Sequence, residues 1–327
     1  VPGLNIALGA VDVVQGISKS EKQARKDGLK GHEITASKVG GALVDVGKVA
    51  VTTAVIGTVG SAIAVAGGPV WAVVLGGIAI SAGLEEINKR TGATNMAKKA
   101  IEESDKSKPR FVALDLGPIG EMLEPIGTLS FDRAYEIFKR QMVQGEKSGA
   151  DIIVIETMMD LYEIKAALLA AKENTNLPVF CTMTFDENGR SFTGCLPESM
   201  VVTLQGLGAD AIGVNCSLGP DLLVPIVEKI IKRATIPVMV QANAGLPCIK
   251  CGETVYEMTA EQFLEGASKF AKMGAKIIGG CCGTNPEFIK ALAENIKDVE
   301  VEPLEKNLEC VVCSPSKILE ISGPTIM

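Results

Sequence analysis

The feature that most constrains the fold is a regular alternation of short apolar runs with longer amphipathic stretches from about residue 110 onward. Each of six apolar runs has the length of a buried strand, and helical periodicity follows each one. Such alternation predicts a parallel sheet, because right-handed helical crossovers let consecutive strands run in the same direction. The predicted strands are 111–116, 151–156, 178–185, 211–215, 237–242 and 276–280, and the predicted helices are 131–147, 161–173, 197–207, 221–233, 260–273 and one after Pro286.

The N-terminal third differs from this pattern, because residues 49–84 contain no charged side chain. A Gly-Gly-Pro turn at 67–69 predicts a helical hairpin whose first arm, 18 residues long, would reach about 27 Å, just short of a bilayer core of about 30 Å. Two interpretations stay open: a membrane-inserting hairpin, and a hairpin buried against protein. Residues 1–84 are thus predicted to be an apolar helical segment, and 85–108 a charged helix and linker.

Charge and cysteine content narrow the class of protein. A net charge of −7 with 4% aromatic residues predicts no nucleic-acid partner, because phosphate binding needs clustered basic side chains. Nine cysteines in 327 residues are too sparse for a disulfide scaffold and favour a reducing, cytoplasmic location. The single histidine excludes sites built from several histidines.

Three cysteines follow two of the predicted strands. Cys216 ends the run AIGVNC, and Cys281 with Cys282 ends the run KIIGGCC. The carboxyl ends of parallel strands are where α/β proteins place their sites. Three thiolates leave a tetrahedral zinc ion one open position, which is typical of a catalytic zinc site. The alternative is simple packing, because free cysteine is often buried.

Other residues near the predicted strand ends are weaker candidates. Asn215 precedes a proposed ligand and is predicted to orient it by hydrogen bonding, and Asn243 lies at the same rim. Asp115 ends a strand, where a structural role in the turn is an equal alternative. The CxxC pairs 248/251 and 310/313 could together hold a second, structural zinc ion. The favoured interpretation is that these four cysteines are ordinary free thiols.

Six motifs distributed along 110–296 closely resemble the homocysteine S-methyltransferase family. They are DLGPIGEMLEPIGTLSF, VIETMMDLYEIKAAL, TMTFDENGRSFTG, GVNCSLGP, ANAGLP and GGCCGTNP. The resemblance implies a (β/α)8 TIM-type barrel with zinc at its strand ends, so that 109–298 would supply strands three to eight. Motifs for strands one and two, including the family's Asp-Gly motif, are not recognisable in residues 1–109.

The same resemblance implies a function. Zinc held by Cys216, Cys281 and Cys282 would activate the thiol of homocysteine for methyl transfer, giving methionine, and Glu156 would bind the substrate's ammonium group. Residues 299–327 are predicted to be a C-terminal linker, because the tail CSPSKILEISGPTIM (313–327) is similar to the linker that leads to a pterin-binding domain, which points to the methionine synthase branch. That branch uses methylcobalamin, so corrinoid- and pterin-binding domains outside this chain would be partners.

A second resemblance supports a different hypothesis. Residues 1–84 are loosely similar to the apolar segments of LXG-type bacterial polymorphic toxins. Under this hypothesis the chain is a catalytically incompetent barrel remnant fused to a membrane-active module.

Overall fold

The computed structural model describes residues 63–65, 93–103, 109–250, 253–296, 299, 304 and 310–321. Its strands are β1 (Ile63–Val65), β2 (Ala113–Leu116), β3 (Ile152–Met158), β4 (Val179–Met183), β5 (Ala211–Asn215), β6 (Val238–Ala242), β7 (Cys248–Lys250), β8 (Glu253–Val255), β9 (Ile277–Gly280), β10 (Val311–Ser314) and β11 (Lys317–Glu320). Its helices are α1 (Ala93–Glu103), α2 (Phe131–Lys147), α3 (Leu161–Asn174), α4 (Pro197–Gly206), α5 (Pro220–Arg233), α6 (Ala260–Met273) and α7 (Pro286–Asn295).

The central sheet has the order β1-β9-β6-β5-β4-β3-β2. Its last six strands are parallel neighbours, with a helix after each one. The chain therefore forms an α/β half-barrel, as expected for part of a (β/α)8 barrel, and the predicted fold class is confirmed. Local signals fix the helix ends: Thr259 and Gln262 form a capping box at the start of α6, and Gly274 ends that helix in the left-handed conformation.

Strand β1 corrects one prediction. Residues 49–84 were expected to be helical, yet Ile63–Val65 pairs antiparallel with β9, with Ala64 opposite Ile278. The physical reason is that a sheet edge presents unpaired backbone groups, and an apolar segment satisfies them best as a strand. The remainder of the predicted hairpin, with its membrane interpretation, lies outside the described residues. Within the described ranges, no helix combines the length and the apolar character that a bilayer span requires.

The two faces of the sheet have different roles. One face packs under the helices and contributes to the main apolar core, for example through Ile153 and Val214. The other face carries a small apolar cluster of Ala113, Ile152, Val154, Ala211, Met239 and Ile277. Side chains alternate between the two faces along a strand, so the next inward-facing position lies two residues further on. In several strands that position, at the carboxyl end, is a buried polar residue. The candidate site is built there.

The predicted C-terminal linker contains a hairpin of β10 and β11. It packs on α4, and the backbone N–H of Leu196 donates to the carbonyl of Pro315 at 2.8 Å. An ion pair of 3.1 Å joins Arg233 to Glu320. The assignment of 299–327 as a linker to another domain stays a prediction.

Candidate functional site

The structure brings the three predicted cysteines together. Cys216 follows β5, and Cys281 and Cys282 follow β9, at the same end of the half-barrel. Their sulfur atoms all lie within 4.8 Å of one another, and Cys216 Sγ is 3.6 Å from Cys282 Sγ. In the part of the chain that the structure describes, this is the one group of three or more side chains placed to hold a metal ion.

Backbone contacts with β6 and the loop after it hold the cysteines in place. The N–H of Cys216 donates to the carbonyl of Gln241 at 2.9 Å, and the N–H of Cys281 donates to Ala242 at 2.8 Å. Asn243 Oδ1 accepts from the N–H of Cys282 at 3.1 Å. The predicted position of Asn243 at this rim is thus observed, and its contact is with the backbone next to the cluster.

The side chain of Asn215 links three strands to the cluster. Its Oδ1 accepts from the N–H of Thr157 at 2.8 Å and from Thr182 Oγ1 at 2.7 Å. Its Nδ2 donates to Thr157 Oγ1 at 2.7 Å and approaches Cys281 Sγ at 3.8 Å. Asn215 is fully buried, so each of these bonds replaces a water contact that the fold has removed. It therefore fixes the sulfur of Cys281 relative to β3 and β4.

Two carboxyl groups occupy neighbouring strands on the same inner face. Asp115 on β2 is 2% exposed and Glu156 on β3 is 6% exposed. Burial, followed by the negative charge of Glu156, raises the pKa of Asp115 well above its usual range. Neither carboxylate oxygen of Asp115 has a hydrogen-bond partner in the described ranges. This buried acidic pair can accommodate a cationic group.

The thiols form one electrostatic unit. Hydrogen bonds with Cys216 and Cys281 lower the pKa of Cys282 to about 2. Hydrogen bonds with Cys216 and Cys282, together with burial, raise the pKa of Cys281 above the usual thiol range. The cluster therefore holds one thiolate readily, whereas ionising all three thiols needs a compensating cation.

The donor set fits a zinc ion. Zinc–sulfur bonds of about 2.3 Å in a tetrahedron place sulfur ligands about 3.8 Å apart, close to the 3.6 Å between Cys216 Sγ and Cys282 Sγ and within the 4.8 Å that bounds the whole group. Thiolates are also the ligands that zinc prefers in proteins. Three of them leave a fourth position for another ligand.

Tyr256, which follows β8, is a site residue that sequence reasoning missed. Its ring lies so close to Gly283, the residue after Cys282, that a Cβ there would collide with it. Burial, followed by the charge of Cys282, raises the pKa of Tyr256 to about 12. The contact depends on how the β7–β8 hairpin folds back, and no motif in the sequence indicates that.

The other CxxC cysteines lie elsewhere. Cys313 Sγ is 3.4 Å from Thr203 Oγ1 on α4, and Cys248 Sγ donates to the carbonyl of Val255 at 3.5 Å. Cys251 lies outside the described residues. The eight cysteines that the structure describes are all free thiols.

The fold and the cluster together define an α/β half-barrel protein with a three-thiol group at the carboxyl ends of its strands. A sequence model of the homocysteine S-methyltransferase family matches residues 72–296, which is more than half of the chain. The chain therefore belongs to the homocysteine S-methyltransferase family, a family of methyltransferase enzymes. The match begins earlier than the motifs indicate and reaches into the predicted linker and apolar segment.

Relatives with curated names support the same family. The methionine synthase of Mycobacterium tuberculosis is 28% identical over 214 residues, which is 63% of this chain and 18% of that protein. The methionine synthase of Mycobacterium leprae is 29% identical over 226 residues, covering 67% of this chain and 18% of that protein. The chain thus spans less than a fifth of the length of these relatives.

Solved structures show the same fold. The apo form of the homocysteine methyltransferase MmuM from Escherichia coli aligns with a TM-score of 0.51 at 20% identity, over 64% of this chain and 71% of that one. Its metallated form aligns with the same TM-score and identity over 64% and 69% of the two chains.

Proposed function

We propose that this domain binds one zinc ion through Cys216, Cys281 and Cys282 and uses it to activate homocysteine for methyl transfer, giving methionine. The observation that carries the proposal is the convergence of three sulfur atoms within 4.8 Å at the strand ends of a member of this family. When bound, zinc supplies Lewis acidity that lowers the pKa of a coordinating thiol, so that the substrate's sulfur is a thiolate at neutral pH.

Different residues of the chain would bind the substrate and orient the metal ligands. Glu156 would pair with the ammonium group of homocysteine, and the buried, uncharged carboxyl group of Asp115 would lie beside that contact. Asn215 would keep Cys281 aligned through its bonds to Thr157 and Thr182. The ammonium contact orients the substrate so that its sulfur lies toward the thiol cluster.

The methyl donor would come from outside residues 1–327. The similarity to two methionine synthases supports methylcobalamin on a corrinoid-binding domain, with a pterin-binding domain as a further partner. We also propose a cytoplasmic location, because the thiols of the cluster must stay reduced to bind zinc.

Metal analysis tests this proposal. Protein purified with zinc and a phosphine reductant should hold about one zinc per chain, and Cys281→Ser should lose it because two thiolates bind far more weakly than three. Cys310→Ser is the matched control, since Cys310 is exposed and lies outside the cluster. Zinc content is measured by mass spectrometry of the metal after exhaustive dialysis.

X-ray absorption at the zinc edge then separates an activating site from a structural one. Addition of L-homocysteine should raise the number of sulfur ligands from about three to about four. A zinc coordination unchanged by homocysteine would leave only a structural role, and protein without zinc would refute the proposal.

A further inference from the structure

The end of β3 carries an irregularity next to the thiol cluster. Along the pairing of β3 with β4, Ile155 lies opposite Cys181 and Met158 lies opposite Met183. Strand β3 thus advances three residues where β4 advances two. This β-bulge contains Thr157, whose φ of 59° is left-handed, a conformation that β-branched residues rarely adopt. Such bulges often redirect a side chain beside an active site.

The bulge changes which side chains face the interior of the half-barrel. Ile155 packs in the main core under the helices, so alternation along the strand directs Glu156 to the inner face. Regular alternation would then return Thr157 to the helices, yet its side chain bonds to Asn215 on the inner face. Met158, fully buried in the main core, takes the position under the helices instead. Two consecutive polar side chains, those of Glu156 and Thr157, therefore lie on the same face.

One buried carboxamide holds the bulge in place. The N–H of Thr157 donates to Asn215 Oδ1 at 2.8 Å, and Thr157 Oγ1 accepts from Asn215 Nδ2 at 2.7 Å. An unfavourable backbone conformation persists where surrounding contacts outweigh its cost, and these two bonds fix both the backbone and the side chain of Thr157. Asn215 also directly precedes Cys216, and its Nδ2 lies 3.8 Å from Cys281 Sγ. The residue after Glu156 and the thiol cluster are therefore attached to the same buried group.

We propose that Thr157 is a positioning residue: the bulge that it forms with Asn215 aims the carboxylate of Glu156 at the substrate's ammonium group and sets its distance from the metal-bound sulfur. The inference rests on the proposed function, because it takes Glu156 as the partner of the ammonium group. Thr157 itself touches neither substrate nor metal in this assignment. Loss of its hydroxyl should weaken recognition of the ammonium group selectively, since the three thiols keep their backbone contacts with β6 and the loop after it.

Two small thiols separate ammonium recognition from binding through sulfur. L-homocysteine carries an ammonium group, and 4-mercaptobutanoate has the same carbon chain, thiol and carboxylate without it. Isothermal titration calorimetry with the zinc-loaded full chain gives a dissociation constant for each thiol. The ratio of the two constants measures the preference for the ammonium group.

We expect Thr157→Val, which keeps the β-branched shape and removes the hydroxyl, to lower this preference by roughly tenfold, through weaker binding of homocysteine. Thr157→Ala removes the hydroxyl without adding bulk, should behave alike, and replaces Thr157→Val if circular dichroism shows that variant to be unfolded. Thr157→Ser restores the hydroxyl and should recover most of the wild-type preference. Thr182→Val is the matched control, because it removes the other hydroxyl that bonds to Asn215 but lies on β4, outside the bulged strand. It should keep the wild-type preference.

The outcomes separate the inference from the proposed function. A wild type that binds no zinc, or one that binds the two thiols equally, would refute the proposed role of the site and the inference with it. A wild-type preference that is retained in Thr157→Val and Thr157→Ala would overturn the inference alone. An equal loss of preference in Thr182→Val would assign the effect to Asn215 and not to the bulge, and would also overturn the inference.

Discussion

Asp115 and Glu156 place two carboxyl groups within one buried face, at a cost to stability. Burial and the charge of Glu156 raise the pKa of Asp115, so the folded protein favours the neutral acid. The pKa of Asp115 is higher in the folded protein than its unfolded-state value of about 3.9. The stability contributed by neutral Asp115 is therefore fully present below about pH 3.9. It is lost as the pH rises through the folded-state pKa.

We therefore predict that Asp115→Asn is more stable than the wild type at pH 8, because the amide never ionises, and that the difference shrinks toward pH 4. Urea unfolding across this pH range measures it. Glu228→Gln, at an exposed position on α5, is the control and should show no such trend. A constant difference between Asp115→Asn and wild type at every pH would contradict the prediction.

At the residue scale, the sequence predicted the thiol cluster because its members directly follow apolar strands that end in glycine or asparagine. Asn215 was predicted for the same reason, as the neighbour of Cys216. Thr157 and Thr182 were not predicted, because their contacts with Asn215 join strands that are distant in the chain. Tyr256 depends in the same way on the path of a loop, and local sequence patterns carry no information about that path.

At the scale of elements, the strands owe their close pairing to small residues as well as to apolar ones. Gly213, in the middle of β5, faces the backbone carbonyl of Met239 on β6 without room for a Cβ. A side chain there would separate two neighbouring strands that both support the thiol cluster, because the N–H of Cys216 bonds to Gln241.

Gly213→Ala should therefore lower the free energy of unfolding by about 3 kcal/mol, through overpacking and loss of ladder bonds. The comparison variant is Gly206→Ala at the end of α4, where no atom lies within 4 Å of the added methyl group. That variant should be neutral or more stable by up to about 1 kcal/mol, since alanine favours helix. Urea unfolding at 25 °C measures the free energy of unfolding of both variants. If Gly213→Ala unfolds at the same urea concentration as the wild type, the prediction is wrong.

The elements themselves were largely predictable. The six parallel strands and their helices were expected within a few residues of their observed bounds, because buried parallel strands are continuous apolar runs. The hairpins β7–β8 and β10–β11 were missed, since strands of three or four residues carry too little periodicity. Strand β1 was missed because its apolar surroundings fit a helix equally well.

At the scale of the whole molecule, the six parallel strands have two edges, one at β9 and one at β2. The structure describes a pairing strand for the β9 edge. Strand β1 pairs with β9, the strand that leads into Cys281 and Cys282, and it runs opposite to the six parallel strands. In the described ranges, β2 ends the sheet on the other side. An uncovered edge beside β9 would expose ladder groups next to the thiol cluster.

Two truncations test the importance of this pairing. A chain that starts at residue 67 lacks β1 and should be less stable and more prone to associate than a chain that starts at residue 63, because it leaves the edge of β9 unpaired. Unfolding midpoints and light scattering compare the two proteins directly. Equal stability and equal size in solution would show that β1 contributes nothing to the sheet.

The separation of the ligands along the chain also has a consequence for biosynthesis. Cys216 and Cys282 are 66 positions apart, and β6 supplies backbone partners to the loops of both. A nascent chain on the ribosome therefore exposes Cys216 well before the vicinal pair is translated, and the full set of thiols exists only after β9 has joined β6. Tight metal binding would then require the completed domain. A stalled or truncated chain, which lacks part of the thiol cluster, would not hold the ion.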